Sequence, residues 1–136
     1  VTLGGFDTHA NEKVRHDQLM TQFAQGMNAF WKDLKKQRNA DRVVMMTFSE
    51  FGRRVAQNAS GGTDHGVAAP MFLFGPNMKP GVFGKHPSLT DLDLGDLKWH
   101  IDFRTVYSTV LQNWLDAPSK PVFGAQFPTL PILKKA

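Results

Sequence analysis

The sequence predicts an α/β protein, a three-layer α/β/α sandwich built around a mostly parallel sheet. Two observations lead there. Short apolar runs alternate with long segments of helical periodicity, the order expected of βαβ units. The runs are also continuously apolar and β-branched rather than alternating, as strands covered on both faces are. A chain of 136 residues is long enough for one domain with its own core and too short for two, so residues 1–136 read as a single domain whose last part, 118–136, is an extended tail.

Taken in order, Val1–Leu3 is an apolar run stopped by Gly4 and Gly5, a strand whose exit loop carries Phe6, Asp7, Thr8 and His9. A chain that opens directly on a strand also reads as a piece of a longer protein. From Asn11 to Arg38 the pattern turns helical: Leu19, Met20, Phe23, Met27, Phe30, Trp31 and Leu34 recur at steps of three and four and share one face, with Lys32, Asp33, Lys35 and Lys36 mostly on the other. Lys35, Lys36 and Arg38 suit the negative pole of the helix. Arg42–Phe48 is the second strand, with Ser49, Glu50, Arg53 and Arg54 at its exit, and Met71–Phe74 is the third. The Gly, Pro and Asp content between Lys79 and Asp96 implies an irregular excursion, with a small hairpin around Leu89–Trp99. Asp102 is the N-cap of a second helix carried by Phe103, Val106, Tyr107, Val110, Leu111 and Trp114, closed by Asp116-Ala117-Pro118.

Composition narrows the function classes. A content of 41% hydrophobic and 21% charged residues is that of a globular chain rather than a disordered one. The absence of cysteine excludes disulfides, zinc fingers and thiol catalysis. No run approaches the roughly 18 apolar residues that span a bilayer. The net charge of +4 suits a small anionic substrate. Nucleic acid is not expected, because no basic patch is interleaved with stacking aromatics. A cut sheet would leave an unpaired edge and favour a homo-oligomer.

In open α/β sheets the site lies beyond the carboxyl ends of the strands. There the order of residues places Asp7 and His9, then Glu50 and Arg53, then Asp64 and His65. Carboxylate oxygen combined with imidazole nitrogen suits zinc or manganese, with calcium or magnesium as the alternatives, and such an ion polarises a phosphoryl or sulfuryl oxygen. Arg53 and Arg54 are placed to hold the remaining anionic oxygens. Each pair also has a plainer reading: Asp7-Thr8-His9 as a capped turn, Asp64-His65-Gly66 as a turn, and Ser49–Arg53 as a helix N-terminus. His16, His86 and His100 read as surface, loop and capping residues.

Three stretches, "GGFDTHANE", "DRVVMMTFSEFGRRVAQNASGGTDHGVAAPMFLFG" and "HPSLTDLDLGDLKWHIDFRTVYSTVLQNWL", resemble the carboxyl-terminal portion of the bacterial domain-of-unknown-function family 1501, over nearly the whole chain. The resemblance implies the alkaline phosphatase superfamily, with its sulfatases, nucleotide pyrophosphatases and cofactor-independent phosphoglycerate mutases. It therefore implies an alkaline-phosphatase-like α/β/α sandwich with one or two metals at the strand ends. Asp7 and His9 resemble the superfamily's first strand-exit pair, at tighter spacing. "TFSEFG" stands where Thr/Ser-Asp-His-Gly is usual, so Glu50 takes the place of the aspartate and Phe51 that of a histidine, which phenylalanine cannot replace as a ligand. His65 ahead of "PMFLFGP" resembles the last histidine ligand, with Asp64 beside it. The implied function is a metal-dependent hydrolase of phosphate or sulfate esters in which Asp7, His9, Glu50, Asp64 and His65 hold the metal and Arg53 clamps the anion. The superfamily's nucleophile belongs to an amino-terminal part that this sequence does not contain. The alternative is a non-catalytic binding or cell-surface scaffold that keeps the fold. The resemblance further implies a periplasmic or exported parent protein that uses a twin-arginine signal.

Overall fold

The computed structural model describes residues 1–133, and its helices are joined by short antiparallel strand pairs, not by a parallel sheet. The element order is α1 (Glu12–Lys36), a 3₁₀ turn (Ala40–Arg42), β1 (Met45–Met46), β2 (Gly52–Gln57), β3 (Thr63–Gly66), β4 (Leu73–Phe74), β5 (Leu92–Asp93), β6 (Asp96–Leu97), α2 (Phe103–Asn113) and α3 (Lys120–Phe123). The strands form separate two-stranded sheets, β1 with β4, β2 with β3 and β5 with β6, each antiparallel.

The three-layer α/β/α sandwich is thus overturned, and the reason is connectivity. Parallel neighbours need a crossover of a dozen or more residues, usually a helix. Between the apolar runs at Met45 and Leu73 the chain makes a hairpin instead, and the runs meet antiparallel as Met45 opposite Phe74 and Met46 opposite Leu73. Apolar runs of this length carry no periodicity that fixes their pairing. Only Met45–Met46 of Arg42–Phe48 and Leu73–Phe74 of Met71–Phe74 are strand, and Val1–Leu3 forms none.

By contact density the chain divides into two compact units, Val1–Pro76 with Ser88–Lys98, and Asn77–Pro87 with Trp99 onward. In the first unit α1 gains tertiary support along its apolar stripe, where most of a protein helix's stability comes from. Leu19 and Leu34 are buried, and Phe23 packs against Phe72 and Phe74 at ring-centroid distances of 6.1 and 6.2 Å. Phe30, in the same stripe, stays exposed. Asn58 folds the β2–β3 turn: its Oδ1 accepts from the N–H groups of Ser60 and Gly62, both at 3.0 Å, and Gly61 takes the left-handed φ of 73° that the turn requires. The hairpin expected around Leu89–Trp99 is present as β5–β6, turned at Leu94-Gly95 with both residues at positive φ.

In the second unit α2 begins where expected. Asp102 Oδ1 accepts from the Arg104 N–H at 2.9 Å, and the same carboxylate binds the Arg104 guanidinium at 2.6 Å. The hydrogen bonds from Arg104 hold the Asp102 carboxyl below its ordinary 3.8. A depressed carboxyl contributes its stability above that ordinary value and loses it as pH falls through the lowered one. Asp102→Ala is therefore expected to cost about 1 kcal/mol of unfolding free energy at neutral pH. The deficit should vanish in strongly acidic solution, as urea titrations at the two pH values would show.

The buried face of α2 is Thr105, Val106, Ser108 and Thr109. Residues 118–133 do not run as the extended tail expected of 118–136, whose remaining residues lie outside the described ones. They form α3, and Leu130 donates its N–H to Thr109 Oγ1 at 2.8 Å, while Ile132 and Leu133 are buried. Backbone N–H groups that a surface strand would leave to water here find partners, such as the Thr109 hydroxyl, which accepts from Leu130 while donating to Thr105 O of its own helix at 2.7 Å.

Candidate metal centre

The cluster lies entirely within the first unit and arises from a loop meeting a hairpin. Asp7 and His9 sit on the chain leading into α1, and His65 sits on β3, directly opposite Arg53 of β2. Backbone bonds stitch the two segments: Asn11 N–H to Ser60 O at 3.2 Å and Glu12 N–H to Gly61 O at 3.1 Å, with Ala10 bridging Gly61. Asn58 adds a side-chain bond to His9 O at 3.0 Å. The Thr63 hydroxyl donates to Glu12 at 2.6 Å.

The result is a small triangle of ligand atoms. Asp7 Oδ1 lies 2.8 Å from His65 Nε2 and 2.9 Å from His9 Nε2, and the two nitrogens are 3.1 Å apart. Among the described residues these three form the group of His, Asp or Glu ligand atoms lying within 4.8 Å of one another, and all three side chains are exposed. Without a cation His65 Nε2 bonds to Asp7 Oδ1 and is paired with His9 Nε2, which lies within ion-pair distance of the same oxygen. With one, the same atoms give two nitrogen ligands and one oxygen ligand. The hydrogen bond from His65, and the charges of His65, His9 and Arg53, hold the Asp7 carboxyl below its ordinary 3.8.

Asp64 stands outside the triangle. Its Oδ1 is 3.4 Å from Nδ1 of His9, the nitrogen that points away from Asp7. That separation is an ion-pair contact rather than a hydrogen bond, and the same Oδ1 lies 3.4 Å from the Asn58 amide nitrogen. Glu50 is exposed and lies outside the group. Of the five ligands expected from sequence, Asp7, His9 and His65 converge, Asp64 lies beside His9, and Glu50 stays apart.

Arg53 is only 20% exposed, and both terminal nitrogens of its guanidinium bond to the protein. Nη1 donates to Thr63 O at 2.8 Å, and Nη2 to Phe6 O and, at 3.4 Å, to Thr8 Oγ1. Its Nη2 is 3.7 Å from Asp7 and its Nε 3.9 Å from Glu12. This is the geometry of a strut that holds the Asp7 loop to β3, rather than of a clamp on an external anion.

Sequence reasoning missed Asn58, Glu12 and Thr63 as builders of the site. The missed signal was "NASGG": Ser-Gly and Gly-Gly mark a turn, and a turn there makes Gly52–Gln57 and Thr63–Gly66 a hairpin. It places Asp64 and His65 on a strand and not on the connection into one.

No curated protein and no solved structure matches the chain significantly. A family model described as "Protein of unknown function (DUF1501)" matches residues 1–113. That span runs to the end of α2 and holds every residue of the cluster, and the chain belongs to the DUF1501 family.

Proposed function

We propose that the chain binds one divalent transition-metal ion on Asp7, His9 and His65, and that the ion serves the hydrolysis of phosphate or sulfate esters. The observation that carries the proposal is the triangle of Oδ1 and the two Nε2 atoms, with edges of 2.8, 2.9 and 3.1 Å. Bonds near 2.05 Å set ligand atoms about 2.9 Å apart on an octahedral edge and about 3.3 Å apart on a tetrahedral one. The side chains therefore need to move by only a few tenths of an ångström to receive an ion of either geometry. Two imidazoles favour zinc, manganese or iron over calcium and magnesium, which seek oxygen.

When bound, such an ion supplies a Lewis acid for a phosphoryl or sulfuryl oxygen. The chain's own residues do the rest. Asp7 stays ionised, the Asp64 carboxylate lies 3.4 Å from His9, and the exposure of all three ligands leaves room for an ester and water to approach. The motif likeness to the alkaline phosphatase superfamily supplies the substrate class, and the +4 net charge favours anions. An exported setting belongs to the same reading.

The test is metal analysis of purified protein together with aryl phosphate and aryl sulfate turnover. About one zinc or manganese per chain is expected, with turnover that is lost in His65→Ala. Protein without transition metal after exposure to zinc and manganese would sink the proposal. A loaded protein without turnover would favour the second reading, a metal-binding scaffold. One observation already favours that reading: Arg53 is mostly buried and spends donors on the carbonyls of Thr63 and Phe6, within the protein.

A further inference from the structure

We infer that Phe51 is a positioning residue of this centre: its ring, lying flat on the His65 imidazole, sets the plane in which His65 presents Nε2 to Asp7 and His9. The inference rests on the cluster being a metal site, and it gives a role to a side chain that cannot ligate.

The placement follows from strand geometry. Residues two apart on an extended chain point to the same face. Phe51, just ahead of β2, is two residues before Arg53, and Arg53 is the cross-strand partner of His65. Phe51 is thus the diagonal neighbour of His65, within reach of an aromatic side chain. The rings are 3.8 Å apart at their centroids and 5° from parallel. The Arg53 guanidinium sits 5.1 Å from the Phe51 centroid and steadies that ring in turn.

His65 needs such support. Its side chain is 47% exposed, and the torsion that orients an imidazole is broad and roughly two-fold. Stacking fixes the plane of the ring. The contact with Asp7, at 2.8 Å, then selects which edge faces inward, because a flipped ring would present a carbon there. The other ring close to it, that of His9, is tilted by 34° at 4.9 Å and is itself a ligand, so it cannot serve as an independent wall. Ligand orientation of this kind is commonly worth about 10- to 100-fold in metal affinity.

The test uses the whole chain with Phe51→Leu, Phe51→Ala and Phe51→Tyr, titrated with Zn²⁺ alone by calorimetry, and with the histidine ring protons followed by NMR in the metal-free state. Leucine and alanine are expected to weaken Zn²⁺ binding about tenfold or more and to remove the upfield ring-current shift of the His65 protons. Tyrosine, which keeps the stack, should stay within about threefold of wild type and retain the shift. A Leu variant that melts with wild type yet loses affinity supports the role, because folding has then been held constant. Leu and Ala variants that bind as tightly as wild type overturn it, and so does a Tyr variant as weak as Ala. If the wild type takes up no metal, the functional proposal fails on its own. The ring signals then decide for Phe51: His65 resonances that do not move in the Leu and Ala variants overturn the positioning role.

Discussion

His65→Ala is expected to weaken Zn²⁺ binding by at least about 100-fold, whereas Glu50→Gln is expected to leave it unchanged. The first removes one of three converging ligands and leaves Asp7 and His9, a pair too weak to hold an ion against water. The second alters an exposed carboxylate outside the ligand group. Asp64→Asn should fall between, up to about tenfold weaker, because it removes a carboxylate charge 3.4 Å from His9 without removing a ligand. Folding should change little in the metal-free state, since the His65 side chain is half exposed. In the presence of metal, wild-type protein gains about 2.7 kcal/mol of stability at 100 times its dissociation constant, a gain the alanine variant forfeits. Thermal melts with and without Zn²⁺ would therefore report the same order as calorimetry. The hydrogen bond from His65 holds the Asp7 carboxyl below its ordinary 3.8, which keeps it a carboxylate ligand at neutral pH. Retention of full affinity by His65→Ala, or its loss in Glu50→Gln, would contradict the assignment.

What was legible in the sequence depended on how local its cause was. The helix over Glu12–Lys36 announces itself through seven apolar residues at helical steps, and α2 through an N-cap chemistry complete within three residues, Asp102 to Arg104. The β5–β6 hairpin is likewise specified by its own two-residue turn. The sheet was not legible, because pairing is a choice among distant partners and short apolar runs carry no label for it. The same holds for the site. That Asp and His side chains could gather was suggested by residue type, and Glu50 was expected with them but stays apart. Which of them meet was decided by the β2–β3 hairpin, which carries His65 inward over Asp7 and His9 and leaves Glu50 before its first strand, outside the cluster. Phe51 was visible only as a ligand that was missing, since stacking across a strand pair requires the register to be known.

The joint between loop and hairpin yields the other large effect. Gly62→Ala is expected to cost about 2–3 kcal/mol of stability and to weaken metal binding in whatever chain remains folded. Gly62 is buried, and a methyl group there would strike the carbonyl carbon of His9 and lie only 2.6 Å from His9 O and Ala10 N. Those are backbone atoms, so no rotamer change relieves the clash, and the turn and the His9 segment must move apart. Moving apart breaks the bonds from Asn11 N–H to Ser60 O and from Asn58 to His9 O. It also shifts His9 away from His65, which lies three residues beyond Gly62 on β3. Stability and affinity are thus expected to fall together at Gly62, where a stability defect alone would leave the dissociation constant of the folded fraction intact. Gly26 is the control. It lies inside α1 with open space around its missing methyl, so Gly26→Ala should stabilise by about 0.5–1 kcal/mol and leave Zn²⁺ affinity untouched. A Gly62→Ala protein that melts early yet binds Zn²⁺ like wild type would show that the loop reaches His65 without the hairpin turn behind it.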